Sequence, residues 1–219
     1  MSEDLSASVT RLVLIRHGAA LCHVRQVVGG PLGCTGLSEE GFAQAEALRR
    51  RLEDTGELAR AGALYSSVLP RARQTAHAIR PAVGGGELEV TEDCALCELH
   101  PGEADGLTWE QFRARYGEPD WDADPERPMA PGGESWHSFV PRATSALRRL
   151  ADGHPGQRVV VAGHGGVIEA AVLAFVVAGG GRRRLGLPTQ YASITELETE
   201  SPSGSWRLLR YNDTAHLMG

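Results

Sequence analysis

Two short runs of aliphatic residues constrain this chain most: Leu12-Val13-Leu14-Ile15 and Val159-Val160-Val161-Ala162. Continuous apolar runs of this length read as strands buried on both faces, as in parallel sheets covered by helices. The first run is followed by Arg16-His17-Gly18 and the second by Gly163-His164-Gly165-Gly166. Each therefore places an imidazole at the C-terminal end of a strand, where ligands bind in open α/β sheets. The helix expected after each glycine offers an N-terminus that favours anions. Arg16 adds a permanent cation suited to phosphate, beside a side chain that is a nucleophile at neutral pH.

The remaining pattern alternates strands with helices. Strand 10–16 is followed by a helix with Ser38 at its N-cap and Phe42, Ala45, Leu48 and Leu52 on one apolar face. Residues 63–67 read as a second strand, leading into a helix from Pro70 to Ile79 with its proline in the first turn. Pro81 and Gly84-Gly85-Gly86 interrupt the chain before a short strand near Leu88–Val90. Thr108 and Gln111 form a capping-box pattern for a helix through Tyr116. Residues 117–133, with four prolines and three glycines, read as a loop.

Beyond that loop, Ser135 opens a long helix to about Leu150, and strand 158–162 leads to an apolar helix over 167–177. The alternating segments 191–197 and 206–211 form a terminal strand pair joined across 201–204. This order predicts a three-layer α/β/α sandwich with a largely parallel central sheet. Its 219 residues suffice for one well-buried core, and we read 1–219 as a single domain.

Composition narrows the functional classes. A formal net charge of −6 gives no support for nucleic-acid binding. Every basic residue is arginine and none is lysine, so an individual arginine is less telling than usual. Met1–Ser8 is polar and acidic, unlike a secretory signal, and the longest apolar stretch, 167–178, contains Glu169 and is too short for a bilayer. The expectation is a cytoplasmic protein with no membrane partner, in which Cys22, Cys34, Cys94 and Cys97 are reduced.

A third strand-to-helix junction, Ser66-Ser67 into Pro70-Arg71-Ala72, puts Arg71 in a first helical turn, and Glu98 follows the third strand. Two histidines, two arginines and a carboxylate suit phosphoryl transfer through nitrogen. Five segments then occur in a telling order: 14–18, Ser66-Ser67-Val68-Leu69-Pro70-Arg71-Ala72-Arg73-Gln74-Thr75-Ala76, Glu98 ahead of Gly102, Pro131-Gly132-Gly133-Glu134-Ser135, and 162–168. With the ending Asn212-Asp213-Thr214-Ala215-His216-Leu217, the chain resembles the histidine phosphatase superfamily, the phosphoglycerate mutase-like fold, over about residues 10–217.

The resemblance implies a metal-independent phosphatase acting on a small-molecule phosphomonoester, with no cofactor and with a homodimer left open. In that scheme His17 attacks phosphorus and becomes phosphohistidine. Arg16, Arg71 and His164 hold the phosphoryl oxygens, and Glu98 serves as general acid and then base. Gly18, His23, Gly165, His100, Glu134 and Ser135 are the expected substrate contacts. His23 and His100 read equally well as surface polar residues, and His137 and His154 as solvated. Residues from about 98 to 140 form an insertion expected to cap the site, with Trp109, Trp121 and Trp136 lining a pocket or pinning the loop.

Departures from the family pattern bear on substrate. Ala19-Ala20 stand where many members have Glu-Thr, and His23 where they have an asparagine that contacts phosphate. Cys34 falls near a common aspartate, and Asp105 takes the place of a second glutamate. Glu103 and Asp105 are rivals to Glu98 as the acid. Cys94-x-x-Cys97 invites a zinc reading, but Cys22 and Cys34 lack the spacing of a second ligand pair. The run Arg182-Arg183-Arg184 reads as a solvated cluster or as an anion contact. Two rival functions are kept, a phosphoglycerate mutase and a non-catalytic phospholigand-binding module.

Overall fold

The computed structural model describes residues 9–177, 186–200 and 204–218. Six strands form one mixed sheet in the order β3-β2-β4-β1-β5-β6. They are β1 (Thr10–Arg16), β2 (Ala63–Ser66), β3 (Val90–Glu92), β4 (Arg158–Gly163), β5 (Ile194–Thr199) and β6 (Trp206–Asp213). The first four run parallel, and β5 and β6 complete the sheet antiparallel. The two aliphatic runs are direct neighbours: Leu12 to Ile15 stand opposite Val159 to Ala162. That register places Arg16 beside Gly163, so both strands end level and deliver His17 and His164 to one edge.

The helices are α1 (Leu21–Val24), α2 (Glu39–Thr55), α3 (Pro70–Ile79), α4 (Trp109–Tyr116), α5 (Trp136–Gly153) and α6 (Gly165–Phe175). Successive strand side chains point to opposite faces. Leu12, Leu14, Val159 and Val161 accordingly join Phe139, Leu147, Ile168 and Leu173 of α5 and α6 in one core. Val13, Ile15 and Val160 join Leu48, Leu52 and Ile79 of α2 and α3 in the other. Both cores are apolar layers, so the sheet is packed on both faces and its C-terminal edge is held in place.

Three local expectations shift. The buried stripe of α2 runs through Gly41, Ala45, Leu48 and Leu52, whereas Phe42 is 48% exposed. Gly41 takes the inward position because its backbone abuts Gly18 and Ala19, an approach any Cβ would block. The third strand covers Val90–Glu92 rather than 88–90, paired with β2. Helix α6 begins at Gly165, with His164 as N-cap, so both glycines lie inside its first turn. The joining loop residues 201–203 and the Arg182–Arg184 run lie outside the described residues. No helix among the described residues is long and apolar enough to cross a membrane.

Candidate active site

Four strand ends supply the chemistry. His17 follows β1, is 2% exposed, and is anchored by its N–H to the Gly163 carbonyl at 2.9 Å. Its ring Nδ1 lies 2.7 Å from the Gly18 carbonyl. A carbonyl only accepts, so Nδ1 carries the proton and Nε2 presents a lone pair. Arg71 donates from Nε to that Nε2 at 3.1 Å and from Nη1 to the Gly29 carbonyl at 2.6 Å. Burial, then the charge of Arg71, pushes the His17 pKa well below the usual imidazole value. His17 is therefore neutral, in the tautomer a nucleophile needs.

Arg71 is buried in the first turn of α3, where Thr75 one turn on donates to its carbonyl and accepts from Gly18 N–H at 3.2 Å. The Gly18 N–H is thereby committed to Thr75. The glycine is required by packing, since a Cβ would strike the Gly41 carbonyl. His164 is fully buried, and its Nε2 meets Ser67 Oγ at 2.7 Å. The rings of His17 and His164 meet edge-on with centroids 5.2 Å apart. Burial and the nearby arginines also depress the His164 pKa strongly.

Arg16 donates to the Thr189 carbonyl and stacks its guanidinium over the Tyr191 ring at 4.2 Å. His23 stacks parallel on His17 at 5.5 Å, and burial with the charges of Arg71 and Arg16 lowers its pKa to about 4. Three buried nitrogens in this cluster, Arg16 Nε, His23 Nδ1 and His164 Nδ1, have no hydrogen-bond partner among the described residues. Buried polar atoms are normally satisfied, so unpaired nitrogens around a cationic centre mark a place built for an anion's oxygens.

Glu98 stands across from them. Its Oε2 accepts from Gly166 N–H at 3.0 Å and its Oε1 from Leu99 N–H at 3.1 Å. A Cβ on Gly166 would collide with this carboxylate, and one on Gly165 would come within 3.5 Å of Arg16 Nε. The first collision explains a helix-weakening glycine at 166, whereas the second is ordinary contact and does not require one at 165. The rival acids are occupied elsewhere: Asp105 accepts from the N–H groups of Gly30, Leu32 and Gly33, and exposed Glu103 accepts from Tyr116.

A cleft of about 410 Å³ opens above this cluster, with Arg16, His23, Arg71, Glu98, Gly165 and Gly166 at its polar end. Its wall includes Val28, Leu99, Trp109, Phe112, Trp121 and Trp136, much of it from the inserted segment. All three tryptophans line the cleft. His100, Glu134 and Ser135 do not. Ser135 is the N-cap of α5, and Glu134 is gripped by Arg142, which also binds the carbonyls of Ala95 and Cys97. His100 N–H donates to Glu134 Oε2 and its ring faces the same carboxylate, so Glu134 and Arg142 brace the Glu98 segment. Exposed His137 faces Glu126, and His154 is hydrogen-bonded to the Tyr65 hydroxyl, not simply solvated.

Sequence reasoning missed Ser67, Thr75, Thr189 and Tyr191. Ser67 and Thr75 lie within the quoted 66–76 segment, where polar residues flanking Arg71 were a usable signal. Thr189 and Tyr191 reach the site only through the register of β5 on β1.

The chain is similar to known phosphatases and mutases. A metal-independent phosphoserine phosphatase of Arabidopsis thaliana is 30% identical over 223 aligned positions, spanning 99% of this chain and 87% of that protein. A 2,3-bisphosphoglycerate-dependent phosphoglycerate mutase of Brucella anthropi is 32% identical over 169 positions, 75% of this chain and 80% of its own. A mycobacterial glucosyl-3-phosphoglycerate phosphatase, solved with VO3, shares 30% identity with a TM-score of 0.75, covering 92% of this chain and 98% of that one. The profile of the histidine phosphatase superfamily (branch 1) matches residues 12–214, and the chain belongs to that family.

Proposed function

We propose that this histidine phosphatase hydrolyses small-molecule phosphomonoesters through a phosphohistidine on His17 Nε2. The observation that carries the reading is the fixed tautomer: Nδ1 is bonded to the Gly18 carbonyl, leaving Nε2 as the free base. Substrate phosphate enters from the cleft and takes the donors of Arg71 and Arg16, and Arg71 Nε moves from His17 Nε2 to a phosphoryl oxygen. Nε2 then attacks phosphorus in line, forming the N–P bond as the ester P–O bond breaks. The Glu98 carboxyl transfers its proton to the departing alcohol. In the second step the Glu98 carboxylate removes a proton from water, whose oxygen attacks phosphorus. The N–P bond breaks, phosphate leaves, and His17 is neutral again.

The positive charge of Arg16 and Arg71 and the unpaired donors around them balance the phosphoryl oxygens, the role cationic clamps play in phosphoryl transfer generally. The aromatic and aliphatic wall supports an alcohol with an apolar or stacking face as the leaving group. The test is phosphate release from a panel of metabolite esters in the presence of a chelator. Turnover that survives the chelator and disappears in His17→Ala supports the reading. Binding of phosphate without turnover on any ester refutes it in favour of a binding module.

The mutase relatives favour a second reading, transfer between positions of phosphoglycerate. Segment 99–105 carries Glu103 and Asp105 and no cation, which suits that carboxylate substrate poorly. Efficient interconversion with negligible phosphate release would select the mutase.

A further inference from the structure

Behind the Glu98 segment lies a second constellation that phosphoryl transfer does not use. Cys94, Cys97 and His100 bring their ligand atoms within 4.8 Å of one another. The two sulfurs are 3.6 Å apart, and Cys94 Sγ is 3.9 Å from His100 Nε2. A tetrahedral zinc ion, with Zn–S near 2.3 Å and Zn–N near 2.0–2.1 Å, requires sulfur–sulfur and sulfur–nitrogen separations of roughly 3.8 and 3.5 Å. The Cys94–Cys97 and Cys94–His100 separations are within a few tenths of an ångström of these, and the Cys97–His100 pair, within 4.8 Å, closes by a turn of the half-buried imidazole.

We propose that Cys94, Cys97 and His100 form a site for one thiophilic divalent cation, Zn²⁺, with solvent at the fourth position. The site is prearranged by its surroundings. Residues Cys94–Leu96 form a short 3-10 turn capped by Asp93, with Cys97 N–H bonded to the Cys94 carbonyl. Arg142 fixes the carbonyls of Ala95 and Cys97, so the two thiols are held at one spacing. His100 Nδ1 faces Glu134 Oε2 at 3.7 Å, and that carboxylate is itself locked by Arg142. A carboxylate behind a ligating imidazole orients the ring and leaves Nε2 for the metal.

Access and charge fit the same ion. Cys97 is buried, Cys94 is exposed and His100 is half-buried, so the open coordination position faces solvent. Two thiolates and a neutral imidazole balance a divalent charge, and a sulfur-rich donor set selects zinc over harder cations. None of the three residues lines the cleft, although Cys97 directly precedes Glu98. The bound ion therefore pins the segment that carries Glu98 without touching the phosphate, and the inference does not depend on the chemistry at His17.

The experiment is a Co²⁺ titration of the reduced, metal-stripped full chain, followed by displacement with Zn²⁺. One equivalent should produce a near-ultraviolet thiolate-to-cobalt charge-transfer band, which imidazole-only binding at His17 and His23 cannot give. Cys94→Ser, at an exposed position, should abolish the band while leaving the metal-free melting temperature unchanged. His100→Ala should weaken and shift it, and Cys34→Ser should keep it. Zinc should raise the melting temperature of the wild type but not of Cys94→Ser. Absence of the band in the wild type, a band that persists in Cys94→Ser, or a Cys94–Cys97 disulfide forming in place of metal binding would overturn the proposal.

Discussion

Arg71 Nε donates to His17 Nε2 at 3.1 Å, so the proposed phosphate clamp rests on the nucleophile it serves. Both side chains are almost wholly buried; burial first and the Arg71 charge second keep the imidazole neutral, and this contact aims its Nε2. Arg71→Ala should lower kcat/KM by roughly 100- to 1000-fold or more, the scale for loss of one charge-stabilising donor. Lysine at this position should recover little, because a single ammonium cannot span His17 Nε2 and the Gly29 carbonyl as the guanidinium does. Steady-state kinetics on an aryl phosphate check this. A near wild-type rate in Arg71→Ala removes it from the site.

Glu98 is positioned by Gly166 N–H, and the space its carboxylate occupies exists only because residue 166 has no Cβ. Gly166→Ala should displace the carboxylate and reproduce much of the defect of Glu98→Gln. Both variants should slow esters of poor leaving groups more than activated aryl esters, since only the former need a proton from the acid. Equal slowing of both ester classes would assign Glu98 another role.

Two buried histidines and the half-buried His23 link stability to pH. His17 and His164 have pKa values pushed well below normal by burial and neighbouring arginines, and that of His23 falls to about 4. Below about pH 6.5 the unfolded chain binds protons at these positions that the folded chain refuses. Stability is therefore full above that pH and should fall as the pH drops toward 4. Urea midpoints across this range check the slope, and His23→Asn should flatten it. A flat profile in the wild type would contradict the buried neutral cluster.

Ser135 caps α5, its hydroxyl accepting from Ser138 N–H. Ser135→Ala should cost about 1 kcal/mol of stability, as lost N-caps do, with KM unchanged. A raised KM at unchanged stability would return Ser135 to the substrate pocket.

The sequence was most legible where local pattern and chemistry coincide. Both aliphatic runs announced β1 and β4, and the residue after each is the histidine at the sheet edge. Arg71 was legible because Pro70 marks a helix start. What adjacency could not convey is side-chain direction. Glu98 and His100 are two residues apart, yet one faces the cleft and the other Glu134, because Arg142 draws the carbonyls between 95 and 98 outward. Glu134 is held by the same Arg142, and Ser135 is turned into the cap of α5. Phe42 illustrates a different limit: it satisfies helical spacing, but Gly41 takes the inward position because two backbones touch there. Contacts set by sheet register, such as Arg16 over Tyr191, have no local signature at all.

The account's central claim is a phosphoryl group carried on His17 Nε2, and the direct measurement is rapid quenching during turnover of a labelled ester followed by peptide mapping. The account predicts phosphate on the peptide containing His17, stable to alkali and labile to acid, and absent from His17→Ala. An alkali-labile phosphate on another residue, or undiminished turnover in His17→Ala, would contradict it.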